Sequence, residues 1–213
     1  MSSNFLEALA GTRLYPITDR QLSGLSHAEQ VSRLSQAGAT LIQLREKVLA
    51  PLDFYREAEA AMRVARDRGA KIVINDRVDM ALALKADGVH LGQDDLPPAA
   101  ARRILGPDAI IGFSTHNLSQ AHLAAKMPVD YVAIGPIFAT STKQGSDAPV
   151  GIRALLDARQ AVGTIPLVAI GGITAENCQD VLGAGANAVA VISDLWTPER
   201  QATTHIKSLF QRQ

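Results

Sequence analysis

A single cysteine, Cys178, stands in a chain of 213 residues, so no intramolecular disulfide can form and a zinc site built from several thiolates is excluded. Aromatic residues are scarce at 4%, and no run approaches the roughly 18 consecutive apolar residues of a membrane span. Neither sign of charge is in excess. Lys+Arg and Asp+Glu are both 21, a formal net charge of zero, so no whole-surface field draws nucleic acid or an anionic membrane to the protein. Any anion must be held by a local cluster. Residues 1–7 lack a basic segment followed by an apolar stretch, and the expectation is a soluble, cytoplasmic protein. Hydrophobic residues make up 47% and charged ones 20%, enough for one substantial core.

What is present is a regular alternation. Short β-branched or aliphatic runs fall at 14–18, 41–45, 72–75, 89–91, 110–114, 131–134, 167–170 and 188–192. Segments of helical composition lie between them, such as 54–68, and 175–182 behind a candidate N-cap at Thr174. Glycines at 38, 69, 163, 183 and 185 precede several of the runs, the residue favoured just past a helix end. The runs are nearly continuously apolar, as parallel strands covered on both faces are. Eight βα units in this length predict a single (β/α)8 TIM barrel of the α/β class, with an open doubly wound sheet as the alternative. Nothing in the sequence divides the chain, and residues 1–12 read as an N-terminal extension.

Chemistry in such a barrel sits at the C-terminal ends of the strands, where polar exceptions concentrate. Along 41–47 the period of two puts Gln43, Arg45 and Lys47 on one face and Ile42 and Leu44 on the other. Buried cations need carboxylate partners or a ligand anion. The third run ends Asn75-Asp76 and the fourth is followed by Gly92-Gln93-Asp94-Asp95. On neighbouring strands Asp76 and Asp95 would face one another, and two carboxylates repel unless a cation or a shared proton intervenes. Hard oxygen ligands favour Mg2+, completed by water and substrate phosphate; the plainer alternative is that each caps the next helix. Ser114, Thr115 and His116 end the fifth run, and a long loop follows the sixth with Thr140, Ser141, Thr142 and Lys143. It reads as a substrate-closing loop or a solvated connection. After the seventh and eighth runs come Gly171-Gly172 and Ile192-Ser193, the recurrent phosphate position in these barrels; tight packing at the glycines is the alternative.

Six blocks in this order resemble the thiamine-phosphate synthase family over about residues 13–194. They are Tyr15-Pro16-Ile17-Thr18-Asp19, Gln43-Leu44-Arg45-Glu46-Lys47, Asn75-Asp76, His90-Leu91-Gly92-Gln93-Asp94-Asp95, Gly135-Pro136-Ile137-Phe138 with the loop to Lys143, and Ile170-Gly171-Gly172-Ile173. The resemblance implies a transferase that joins a pyrimidine diphosphate to a thiazole phosphate with release of diphosphate. It implies that Gln43, Leu44, Arg45, Glu46, Lys47, Asn75, Ser114 and Lys143 meet the pyrimidine diphosphate, and that Asp76 and Asp95 hold Mg2+. Thr140, Ser141, Thr142, Gly172, Ile192 and Ser193 would hold the thiazole phosphate. Arg45, Lys47, Lys143 and Ser114 would serve the chemistry, and Cys178 would be a packed helix residue. Partners are then small-molecule substrates, with a homodimer open. A thiazole tautomerase of the same barrel is the near rival, but it has no diphosphate to ionise and no use for Arg45, Lys47, Lys143 and the carboxylate pair. A phosphate-ligand sensor without catalysis is the rival of another class.

Overall fold

In the computed structural model, residues 4–140 and 148–196 are described. A short helix α1 (Asn4–Ala8) leads into alternating elements: β1 (Leu14–Asp19), α2 (Arg20–Ser23), α3 (His27–Ala37), β2 (Leu41–Arg45), α4 (Pro51–Asp67), β3 (Lys71–Asn75), α5 (Val78–Leu84), β4 (Gly88–Leu91) and α6 (Pro98–Leu105). They continue with β5 (Ile110–Thr115), α7 (Leu118–Ala124), β6 (Tyr131–Ile134), α8 (Gly151–Val162), β7 (Leu167–Ile170), α9 (Cys178–Gly183) and β8 (Ala188–Val191). The described strands pair in sequence order and in parallel, and β1 closes on β8. The chain is a (β/α)8 barrel. No described helix is long and apolar enough to cross a membrane.

Strand parity divides the core into two layers. Ile42, Leu44, Ile72, Ile74, Val89, Leu91, Ile111 and Val132 point outward and pack under the helices. Tyr15, Ile17, Leu41, Val73, Ile110, Tyr131, Val168, Ala188 and Ala190 point inward. Because both faces are covered, the strands carry no polar solvent face, which is why they read as unbroken apolar runs. Local signals support the helices. Ser26 and Glu29 form a capping box at α3, and Gly38 ends it in the left-handed region at φ 116°. Pro51 opens α4 three residues before the expected start.

One segment differs from the sequence expectation. Thr174 is not an N-cap: α9 starts at Cys178, behind Asn177. The Asn177 amide accepts from Thr174 N–H at 2.9 Å and donates to Gly172 O at 3.0 Å, so residues 172–177 are tied into a turn. Residues 1–12, read as an extension, include α1; its Phe5 and Ala8, and Leu9 just after it, are buried in the inner layer. Phe5 stacks on Tyr131 with ring centroids 4.1 Å apart and meets Tyr15 edge-on at 5.5 Å. Cys178 is buried.

Candidate active site

At the C-terminal ends of the strands a cavity of about 630 Å³ opens and runs down into the barrel. Gln43, Arg45, Lys47, Asn75, Asp76, Asp95, Ser114, Thr140, Gly172, Ile192 and Ser193 all line it, so residues spread over 151 positions of chain meet at one mouth. Leu44 and Glu46 do not: Leu44 packs in the outer layer, and the Glu46 side chain reaches His27 and Arg20 behind the strand. The period of two explains both, since 43, 45 and 47 point in while 44 and 46 point out. Ser141, Thr142 and Lys143 lie outside the described residues.

The cations at the end of β2 are held by carboxylates. Arg45 Nη1 lies 2.5 Å from Asp19 Oδ2, and Lys47 Nζ pairs with Asp76 Oδ2. Neither candidate metal carboxylate caps a helix. The position before α5 is Arg77, without a side-chain cap bond, and Asp95 Oδ2 accepts the Gly92 N–H at 2.6 Å. Asp76 has φ 63°, a conformation that costs a non-glycine residue about 1 kcal/mol, while its N–H donates to His90 O at 2.8 Å. Burial, and then the charge and contact of Asp76, raise the Asp95 carboxyl above its ordinary range, against the lowering effect of the Gly92 bond. Ionised together, the pair is electrostatically unfavourable and suited to a cation.

Below the rim is a polar floor that the sequence blocks only partly contained. Gln43 Nε2 donates to Tyr15 Oη at 3.2 Å, and the Tyr15 and Tyr131 hydroxyls lie 3.2 Å apart. His90 spans 2.8 Å from Nδ1 to Tyr131 Oη and 2.8 Å from Nε2 to Ser114 Oγ. Burial pushes both phenols upward, so they remain protonated. It pushes His90 down to about 4, so at neutral pH the ring is uncharged, with one nitrogen donating and the other accepting. Ser114 is thereby anchored from below. Tyr131 had no local sequence signal; His90 had one, a lone polar residue in an apolar strand.

This shift has a consequence for stability. Above about pH 6.5, the ordinary histidine value, His90 is neutral folded or unfolded and its contribution is complete; between there and pH 4 only the unfolded chain takes up the proton, so stability falls as pH falls. The span corresponds to up to roughly 3 kcal/mol. Urea midpoints between pH 7.5 and 5 are expected to fall more steeply for the parent than for His90→Gln. Asp95, whose shift acts in the opposite sense, is common to both proteins, and parallel slopes would show that His90 is not the buried neutral group.

Across the mouth, Gly171 and Gly172 take φ 99° and 64°. A Cβ at Gly171 would lie 2.5 Å from Pro136 Cβ, and one at Gly172 2.6 Å from Ala139 O. The turn after β7 is thus packed tightly on the loop after β6 while lining the cavity, so the packing alone already requires these glycines. Ser193 opens a short 3-10 helix, Ser193–Leu195, beside it.

Residues 14–195 match the family model described as thiamine monophosphate synthase. A thiamine-phosphate synthase of Clostridium novyi is 47% identical over 182 residues, covering 85% of this chain and 89% of the relative. One from Methanoculleus marisnigri is 44% identical over 203 residues, covering 95% of each. A solved structure of thiamine phosphate pyrophosphorylase from Pyrococcus furiosus superposes with a TM-score of 0.83 at 35% identity, covering 97% of this chain and 98% of that one.

Proposed function

This chain belongs to the thiamine monophosphate synthase family, and from that premise we propose that it joins an aminopyrimidine carrying a methylene diphosphate to a thiazole phosphate, giving thiamine phosphate and diphosphate. The observation that carries the reading is a single cavity with a cationic rim at Arg45 and Lys47 and a glycine turn at Gly171-Gly172 on the same mouth. Two anionic substrates can be held there with their ring ends meeting inside.

In this reading the methylene C–O bond breaks and its electron pair leaves with diphosphate. The electron-rich ring supports the resulting cation, and the thiazole nitrogen supplies the pair of the new C–N bond. No enzyme nucleophile is required. Arg45 and Lys47 stabilise the negative charge that develops on the leaving group, joined in the sequence-based assignment by Lys143. Asn75 and Gln43 orient the pyrimidine diphosphate, and Ser114, anchored by His90, meets the ring. Gly172, Ile192, Ser193 and Thr140, with Ser141 and Thr142, take the thiazole phosphate. The inner wall excludes water from the cation.

Asp76 and Asp95 would hold Mg2+, which would supply charge neutralisation to the diphosphate. The fit rests on the raised Asp95 carboxyl beside Asp76. Among the described residues no group of three or more His, Cys, Asp or Glu side chains is placed to bind a metal, so the other positions would fall to water and substrate phosphate, as magnesium prefers. The neutral net charge supports small-molecule substrates as partners over nucleic acid or membranes, and a cytoplasmic setting remains part of the same proposal.

The test is direct: purified protein, both substrates and Mg2+ should yield thiamine phosphate and diphosphate in equal amounts, and a folded preparation giving neither would sink the reading. Ser193→Asp is expected to raise the KM for thiazole phosphate about tenfold and leave that for the pyrimidine diphosphate within twofold, because the new carboxylate opposes only the anion beside the glycine turn. An unchanged thiazole-phosphate KM would place that phosphate elsewhere.

A further inference from the structure

Glu46 sits within the cationic segment at the end of β2, yet its side chain leaves the cavity. It is only 6% exposed and makes two kinds of contact behind the strand. Oε1 accepts three successive backbone N–H groups, from Lys47 at 2.9 Å, Val48 at 2.8 Å and Leu49 at 3.2 Å. Oε2 lies 3.5 Å from His27 Nε2 and 3.8 Å from Arg20 Nη1. His27 is fully buried; its backbone N–H, at the start of α3, donates to Glu57 Oε2 at 3.2 Å, and its Nδ1 lies 2.8 Å from Thr18 Oγ1. Thr18 Oγ1 in turn donates to Gln43 O and accepts from Arg45 N–H, each at 3.3 Å. Backbone on both sides of Arg45 is therefore gripped from outside the barrel, through Thr18 before it and through Glu46 after it.

We propose that Glu46 is a positioning residue that fixes residues 45–49 so that Arg45 and Lys47 are aimed into the cavity at the diphosphate. The physical reason is preorganisation. A lysine on a free turn must lose backbone and side-chain freedom on binding, whereas a turn already tied by three charge-assisted hydrogen bonds has lost the backbone part beforehand. Half of Lys47's side chain is exposed and its tip pairs with Asp76, so apart from that one carboxylate it is the turn, tied at Lys47 N–H by Glu46, that fixes where it points. Arg45 is held at its tip by Asp19 and at its backbone by Thr18, so the effect of Glu46 falls more on Lys47 than on Arg45.

The inference rests on the reading of Arg45 and Lys47 as diphosphate ligands, and the experiment separates the two. Binding of inorganic diphosphate with magnesium is measured by calorimetry for the parent, Arg45→Ala, Glu46→Ala and Glu46→Gln, together with amide hydrogen exchange and the KM for each substrate. Glu46→Ala is expected to weaken diphosphate and raise the pyrimidine-diphosphate KM about tenfold, speed exchange at Lys47, Val48 and Leu49, and leave the thiazole-phosphate KM within twofold. Glu46→Gln, whose amide oxygen can still accept those N–H groups, should recover most of the loss. Should Glu46→Ala not fold, Glu46→Asp, one methylene too short to span the turn, gives the same reading. Unchanged diphosphate affinity despite faster exchange, or an equal loss for both substrates, overturns the positioning role while Arg45→Ala still weakens binding. If Arg45→Ala also leaves diphosphate binding unchanged, the cationic reading fails and the brace falls with it.

Discussion

Asp95→Asn is expected to lower turnover at limiting magnesium by about 10²-fold or more while the metal-free protein melts at or slightly above the parent temperature. The two effects have one cause. Ionised Asp95 is disfavoured by burial and by Asp76 beside it, so a neutral amide of the same shape relieves repulsion, and its carbonyl oxygen can still accept the Gly92 N–H that Asp95 Oδ2 accepts at 2.6 Å. What would be lost is a hard anionic ligand of the proposed magnesium site. Asp76→Asn should differ, because Asp76 is the partner of Lys47; its loss leaves that ammonium without its carboxylate and costs activity without the gain in stability. Rates measured across magnesium concentrations, with melting curves in chelator, check both. Full activity of Asp95→Asn at limiting magnesium would remove the carboxylate pair from the metal assignment.

The barrel was legible because burial on both strand faces leaves an unambiguous mark. A run such as Ile72 to Asn75 has no polar alternation to confuse it, and the structure begins that strand one residue earlier, at Lys71, whose side chain is exposed at the barrel's bottom rim. The error at α9 has a local cause. Thr174 before Ala-Glu-Asn-Cys resembles a helix start, but its hydroxyl accepts only a 3.3 Å contact from Glu176 N–H, while Asn177 ties the preceding glycine turn together. A competing side-chain hydrogen bond delayed the helix by three residues.

The site was legible where parity decided it. Gln43, Arg45 and Lys47 share a face, and the same rule applied one residue either way sends Leu44 and Glu46 outward, against the wider assignment that the resemblance implied. The carboxylates were foreseeable from strand adjacency, since β3 and β4 are neighbours. The tyrosine floor was not. Tyr15 and Tyr131 are 116 residues apart and meet because their side chains share a barrel interior. Asp19, which holds Arg45, was hidden for a similar reason, as its register with Arg45 arises from the β1–β2 pairing.

Gly112→Ala tests that floor with one added methyl group. The expected result is a loss of roughly 3 kcal/mol or more in stability, with turnover reduced on the order of tenfold or more and a raised KM for the pyrimidine diphosphate. A Cβ at Gly112 would fall inside contact distance of Tyr131 Cζ, Oη and Cε1. The ring has nowhere to retreat: Phe5 stacks on it with centroids 4.1 Å apart, His90 stacks at 5.5 Å, and Tyr15 meets it edge-on at 5.8 Å. Moving it breaks the hydroxyl contacts to Tyr15 and His90 and releases Ser114 from its anchor. The glycine turn follows the C-terminal end of β7, whereas Tyr131 opens β6 at the inner floor, so the thiazole-phosphate KM should change less than that for the pyrimidine diphosphate. Urea denaturation and two-substrate kinetics read both quantities. Adding Tyr131→Leu to Gly112→Ala should restore part of the stability by removing the crowded ring, yet leave activity low because the hydrogen-bond chain to Ser114 is still absent. A single variant as stable as the parent would mean that the floor yields to the methyl group and that Tyr131 does not hold His90 and Ser114 in place.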